Sequence, residues 1–140
     1  MVGTFLEPDG GGENRGELLE LCAEAGNDLI VGNGFLFDAA MNEVAPNYPD
    51  LNFAITDGVA EPSNVRGMLF KHAEGSYLAG IAAALKTKTN NVGFIGGVDF
   101  PLIHEFEQGF LAGVAEINPD IVVQIGYALS LIHISEPTRL

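Results

Sequence analysis

The sequence predicts an α/β fold, a parallel, doubly wound sheet arranged in two lobes. Strand-like and helix-like segments alternate along the chain, an order that favours a parallel sheet wrapped by helices. Three turns, Gly32-Asn33-Gly34-Phe35, Thr56-Asp57-Gly58 and Gly96-Gly97-Val98-Asp99, each follow an apolar run, as turns at the carboxyl ends of strands do. With 140 residues and 47% hydrophobic content, the chain has material for one ordinary core.

In chain order, VGTFLE (2–7) reads as a strand, and the glycine-rich PDGGGEN loop leads into a helix over 15–25. Leu18, Leu19 and Cys22 fall on one side of that helix. DLIVG (28–32) is the next strand. A helix over 37–45 is followed by YPD and the strand LNFAIT (51–56), which ends at Asp57 with Gly58 behind it. NVRGMLF (64–70) reads as another strand. The helix over 73–86 places Leu78, Ile81, Ala82 and Leu85 along one face, which predicts a core helix. Gly75, Gly80 and several alanines would let it approach the sheet closely, and Glu74 at one end with Lys86 and Lys88 at the other suits the helix dipole.

KTKTNN (86–91) reads as a linker, so the first lobe is expected over 1–85 and the second over 92–128. In the strand that opens the second lobe, Val92, Phe94, Ile95 and Val98 surround Gly93 and the Gly96-Gly97 pair, which would let the backbone turn sharply where the strand ends. Asp99, an acceptor for a free amide, and Pro101 start a helix. Ile103, Phe106, Phe110 and Val114 recur in it at helical spacing before DIVVQIG (120–126), the strand expected after a crossover.

LSLIHISEPTRL (129–140) shows no helical repeat and only a brief alternation. It resembles the in-frame translation of a sequencing adapter, and His133 within it is given no role. Met1 runs straight into VGTFLEP without a charged leader, an apolar signal region or a lipid-acceptor cysteine. The expectation is an internal start, with the first βα unit of the first lobe missing. Such a lobe would leave a slot in its sheet and be prone to aggregate or stay partly molten.

The chemistry-bearing residues point to binding rather than catalysis. A net charge of −13, from 19 acidic against 6 basic residues, argues against nucleic acid or an anionic membrane surface as partner. Cys22 reads as a small buried hydrophobe, while His72 and His104 lack metal-ligand spacing and read as solvated, so neither metal nor cofactor is expected. Gly32-Asn33-Gly34 lacks the third glycine and acidic partner of a dinucleotide fingerprint, and no phosphate-loop lysine follows any glycine run. Ligands of doubly wound sheets meet the carboxyl ends of strands. Asp57 is therefore the first candidate ligand residue, since its carboxylate can accept hydrogen bonds from the ring and exocyclic nitrogens of a base. The alternative is that it shapes a turn with Gly58. Gly34, Asn33, whose amide can pair with a base, and Phe35, whose ring can stack or pack in the core, complete the set.

DLIVGNGF, YPDLNFAITD, NVRGMLFKHAEGSYLAG and the run from Lys86 to Gly113 occur in one collinear block that ends near Pro119. In wording and order this block resembles the basic membrane protein (Bmp), or PnrA-like, family of purine-nucleoside-binding lipoproteins that serve ABC importers. The resemblance implies a fold like that of type I periplasmic binding proteins and a function in capturing a purine nucleoside, not an enzyme activity. It implies an ABC transporter permease as partner of the intact parent, and an extracytoplasmic place held at the cell membrane by a lipid anchor. It also places an aspartate at the Asp57 position among base-recognising residues. Asn33 stands where the family usually has an apolar residue, so no contact is carried over to it. Two other classes remain open: a ligand-sensing regulator of the same fold, and a Rossmann-like enzyme.

Overall fold

The computed structural model describes residues 3–129. Its contacts gather into two compact units, and the chain passes from the first to the second between Phe70 and Lys71.

The first unit contains α1 (Arg15–Glu24), β1 (Leu29–Asn33), α2 (Asp38–Val44), β2 (Asn52–Thr56) and β3 (Val65–Met68). Short 3-10 turns, Phe35–Phe37 and Ala45–Asn47, flank α2. The three strands are parallel in the order β1-β2-β3. Leu19 and Ala23 of α1 and Met41 and Val44 of α2 bury one face of this sheet by packing on Ile30, Phe53 and Ile55, with Cys22 at the margin. Cys22 is thus the packing residue expected of it. Gly32 permits this approach, because a side chain there would come within 2.7 Å of Met41 Cε and 3.0 Å of the Phe37 ring.

Parallel neighbours ordinarily need a long crossover, yet β2 reaches β3 through a loop without helix or strand. Asn64 holds that connection: its Nδ2 faces the carbonyls of Ala45 at 3.0 Å, Tyr48 at 3.0 Å and Leu51 at 3.1 Å. Two N–H groups serve three acceptors.

The expected strand over 2–7 does not form among the described residues; 3–9 has no regular structure. An extended segment becomes a strand only when a neighbour takes its backbone groups, and this one pairs with none of the strands. It borders an open groove of about 760 Å³ that Phe5 and Leu6 line together with Leu29 and Val31 of β1.

The second unit contains α3 (His72–Lys86), β4 (Asn91–Val98), α4 (Pro101–Ile117) and β5 (Val122–Leu129), with β4 and β5 parallel. Helix α3, which the sequence grouped with the first lobe, packs here against α4. The contact is backbone to backbone. A side chain at Gly80 would run into the Phe110 carbonyl, at Gly109 into that of Ala73, and at Gly113 into that of Tyr77. The expectation that Leu78 and Leu85 face a core is corrected: both are 65% exposed, while Gly80 and Ala84 are buried. So close an approach selects the smallest residues on a helix, not the most apolar.

Phe110, Val114, Ala84 and Ile121 form the core of this unit, with Val92, Phe94 and Val123 of the strands. The Gly96-Gly97 pair lies inside β4, which continues to Val98, so the expected sharp turn is displaced to Asp99 and Phe100. Gly96 makes room instead of a turn: a side chain there would meet the Tyr127 ring at 2.7 Å and Ile103 at 2.8 Å. Of the expected tail, Leu129 ends β5, while 130–140, with His133, lie outside the described residues.

Candidate ligand-binding site

Two of the three predicted turns come together at one end of the first unit's sheet. Because β1 and β2 are parallel and in register, Asn33 lies opposite Thr56 at their carboxyl ends. The chain then leaves β1 through Gly34 at φ 104°, a conformation open to glycine. The Gly34 amide donates to Thr56 Oγ1 at 2.8 Å, and that hydroxyl donates to Asn33 Oδ1 at 2.8 Å. One side chain therefore fixes both the Asn33 amide and the backbone that presents Phe35, which opens the 3-10 turn Phe35–Phe37.

Asp57 follows directly, at the end of β2. Its φ of 57° is left-handed, which aspartate tolerates better than most residues. Its amide donates to the Met68 carbonyl at 2.9 Å, anchoring the turn to β3. Behind it Gly58 is buried, and a side chain there would overlap Asp38 Oδ1 and come within 2.7 Å of Ile55. Asp38, in the first turn of α2, is pushed above the ordinary carboxylate range by burial, against which the Val59 amide acts.

Asn33, Gly34, Phe35 and Asp57 thus share one sheet end. Sequence reading gave no role to two residues beside them, Thr56 and Asp38. The position of Thr56 next to Asp57 was visible, but its partners lie 22 and 23 residues away. Asp38 read only as part of a helix.

At the corresponding end of β4, Asp99 does not cap α4; Phe100 occupies the N-cap position without a side-chain cap bond. Its Oδ1 lies 2.8 Å from His104 Nε2 instead. A carboxylate near a histidine one turn into the helix gains a charge-assisted bond that competes with a cap. Tyr127 of β5 donates its hydroxyl to Glu107, and its ring meets that of His104 edge-on at 6.0 Å. The carboxylate acceptor, with burial and the nearby charges of Glu107 and Asp99, pushes the Tyr127 phenol up to about 12. His72 corrects another expectation, since its ring packs on Phe106 at 4.7 Å with Nε2 buried. Among the described residues, no group of three or more histidine, cysteine or acidic side chains could hold a metal ion.

Residues 6–132 match the family model described as ABC transporter substrate-binding protein PnrA-like, Bmp. The chain belongs to this family. The match is wider than the block from Asp28 to Pro119 that carried the resemblance. A Lactococcus lactis ABC transporter nucleoside-binding protein, BmpA, is 43% identical over 75% of the chain and 30% of its own length. The CD4+ T-cell-stimulating antigen of Listeria monocytogenes is 42% identical over 79% and 31%. A purine-binding protein of Brucella abortus is 30% identical over 87% and 35%. The chain thus spans about a third of the length of these Bmp relatives.

Among solved structures, an ABC transporter solute-binding protein of Aeropyrum pernix aligns with a TM-score of 0.67 at 29% identity, covering 82% of this chain and 35% of that one. A transcriptional activator of the comK gene from Bacillus halodurans aligns with a TM-score of 0.61 at 27% identity, covering 80% and 38%. The Bmp family is one of substrate-binding proteins rather than enzymes.

Proposed function

We propose that the whole protein captures a purine nucleoside outside the cytoplasmic membrane and delivers it to an ABC permease, held at the membrane by a lipid anchor. The observation that carries this reading is the meeting of Asn33, Gly34, Phe35 and Asp57 at the carboxyl ends of adjacent parallel strands, where ligands of such sheets bind, in a chain of the Bmp family. The nucleoside-binding and purine-binding names of two relatives support the ligand class.

In this reading Asp57 accepts hydrogen bonds from the N–H groups of the base, and Phe35 lies against its face. The intact protein buries the base by hinge closure. No covalent bond is made or broken. The exposed Asn33 amide, oriented by Thr56, adds a polar contact at the rim.

The test is isothermal titration of inosine, guanosine and adenosine into the intact protein and its Asp57→Ala variant. Saturable binding by the parent that the variant loses is the expected result. A folded parent that takes up none of the three would end the nucleoside assignment.

The fold shared with a transcriptional activator favours one second reading, a ligand sensor that passes its signal to a regulatory partner. Reconstitution with a permease separates the two: nucleoside uptake that depends on this protein supports the transporter, and its absence beside intact binding supports the sensor.

A further inference from the structure

Helix α2 begins at Asp38, and an acidic side chain there would ordinarily take free amides of its own first turn. Asp38 makes no such cap. Its Oδ1 is buried without a hydrogen-bond partner and points at the bare α-carbon of Gly58, so closely that any side chain at that position would displace it. The Val59 amide is the group that favours its charged form. On the other side of the same turn, the Gly58 carbonyl packs on Gly67 of β3, where an added side chain would come within 2.7 Å of it. The turn after β2 is therefore wedged between a carboxylate and a neighbouring strand, with glycine required on both contacting positions.

We propose that Asp38 is a positioning residue of the binding site: from the start of α2 it seats the Asp57-Gly58-Val59 turn and so fixes the direction in which Asp57 meets its ligand. The inference rests on the reading that Asp57 recognises the base of a purine nucleoside. Burial pushes the Asp38 carboxyl above its ordinary range, so the ionised side chain is held there at a cost to stability. A residue that served stability alone would be replaced to advantage by one without charge. Because the Phe35–Phe37 turn runs straight into α2, the same residue links the two loops that carry the candidate ligand contacts.

Inosine titration of the intact protein, wild type against Asp38→Ala and Asp38→Asn, tests this, with a thermal melt of each. Asp38→Ala should weaken inosine binding about tenfold while melting no lower than wild type. Asp38→Asn, which keeps an oxygen for the Val59 amide, should recover most of the affinity. Unchanged affinity in Asp38→Ala beside a binding wild type overturns the inference and leaves the nucleoside reading standing. A variant that loses affinity and melting temperature together, or an Asp38→Asn protein as weak as Asp38→Ala, also overturns it, since the role is then structural or needs no acceptor. A folded wild type that binds no purine nucleoside overturns inference and reading alike.

Discussion

Thr56 Oγ1 accepts the Gly34 amide at 2.8 Å, a bond that joins the ends of two parallel strands across 22 residues of chain. The hydroxyl also donates to Asn33, so it is used in both directions, as a hydroxyl can be. The two candidate ligand loops are thereby held in one arrangement before any ligand arrives.

Thr56→Val keeps the shape of this side chain and removes both bonds. The Gly34 amide then loses its acceptor, and a loss of about 1–2 kcal/mol in unfolding free energy is expected, read from urea denaturation. Inosine affinity of the intact protein should fall as well, because Asn33 and the backbone before Phe35 lose their common support. Wild-type affinity in a destabilised variant would mean that this latch serves folding alone.

Asp57 carries a different signature, since its φ of 57° is a backbone conformation more easily adopted by glycine. Asp57→Gly should leave the protein as stable as wild type or raise its stability by up to about 1 kcal/mol, and in the same protein should abolish nucleoside binding. Gain of stability with loss of binding separates a ligand contact from a turn-former. If the side chain only shaped the turn, glycine would serve it equally and binding would persist.

The contrast between Asp57 and Thr56 shows how far the sequence could be read. A carboxylate beside a glycine after an alternating apolar run is local information, and it located the end of β2 and its turn correctly. The partners of Thr56 are set by the register of β1 on β2, and the surroundings of Asp38 by where α2 lands on that turn; neither is encoded within a window of neighbours. Hydropathy misjudged α3 for a related reason. Leu78 and Leu85 are the apolar residues of its pattern, but Gly80 faces a backbone carbonyl of α4, and a contact between backbones leaves no apolar stripe to detect. The described part of the expected strand over 2–7 failed to form because pairing, not composition, makes a strand. Asp99 was legible as an acceptor at a helix start, whereas its choice of His104, five residues on, depended on the bend at Phe100.

The last prediction concerns Tyr127, whose phenol is pushed up to about 12 first by its hydrogen bond to the Glu107 carboxylate, then by burial and by the charges of Glu107 and Asp99. A group with a raised folded pKa contributes stability that is complete below its unfolded value, here the ordinary phenol value of 10.0, and that is lost as pH rises through the folded value. Alkaline unfolding should therefore draw on this bond between about pH 10 and 12. Glu107→Gln removes the charge and weakens the acceptor, so the Tyr127 ring resonances should titrate nearer to 10 and less stability should be lost between about pH 10 and 12 than in the wild type. A Tyr127 titration unmoved by the substitution would show that burial, rather than Glu107, holds the proton. The β4–α4 corner would then owe its order to the packing of the Tyr127 ring over Gly96.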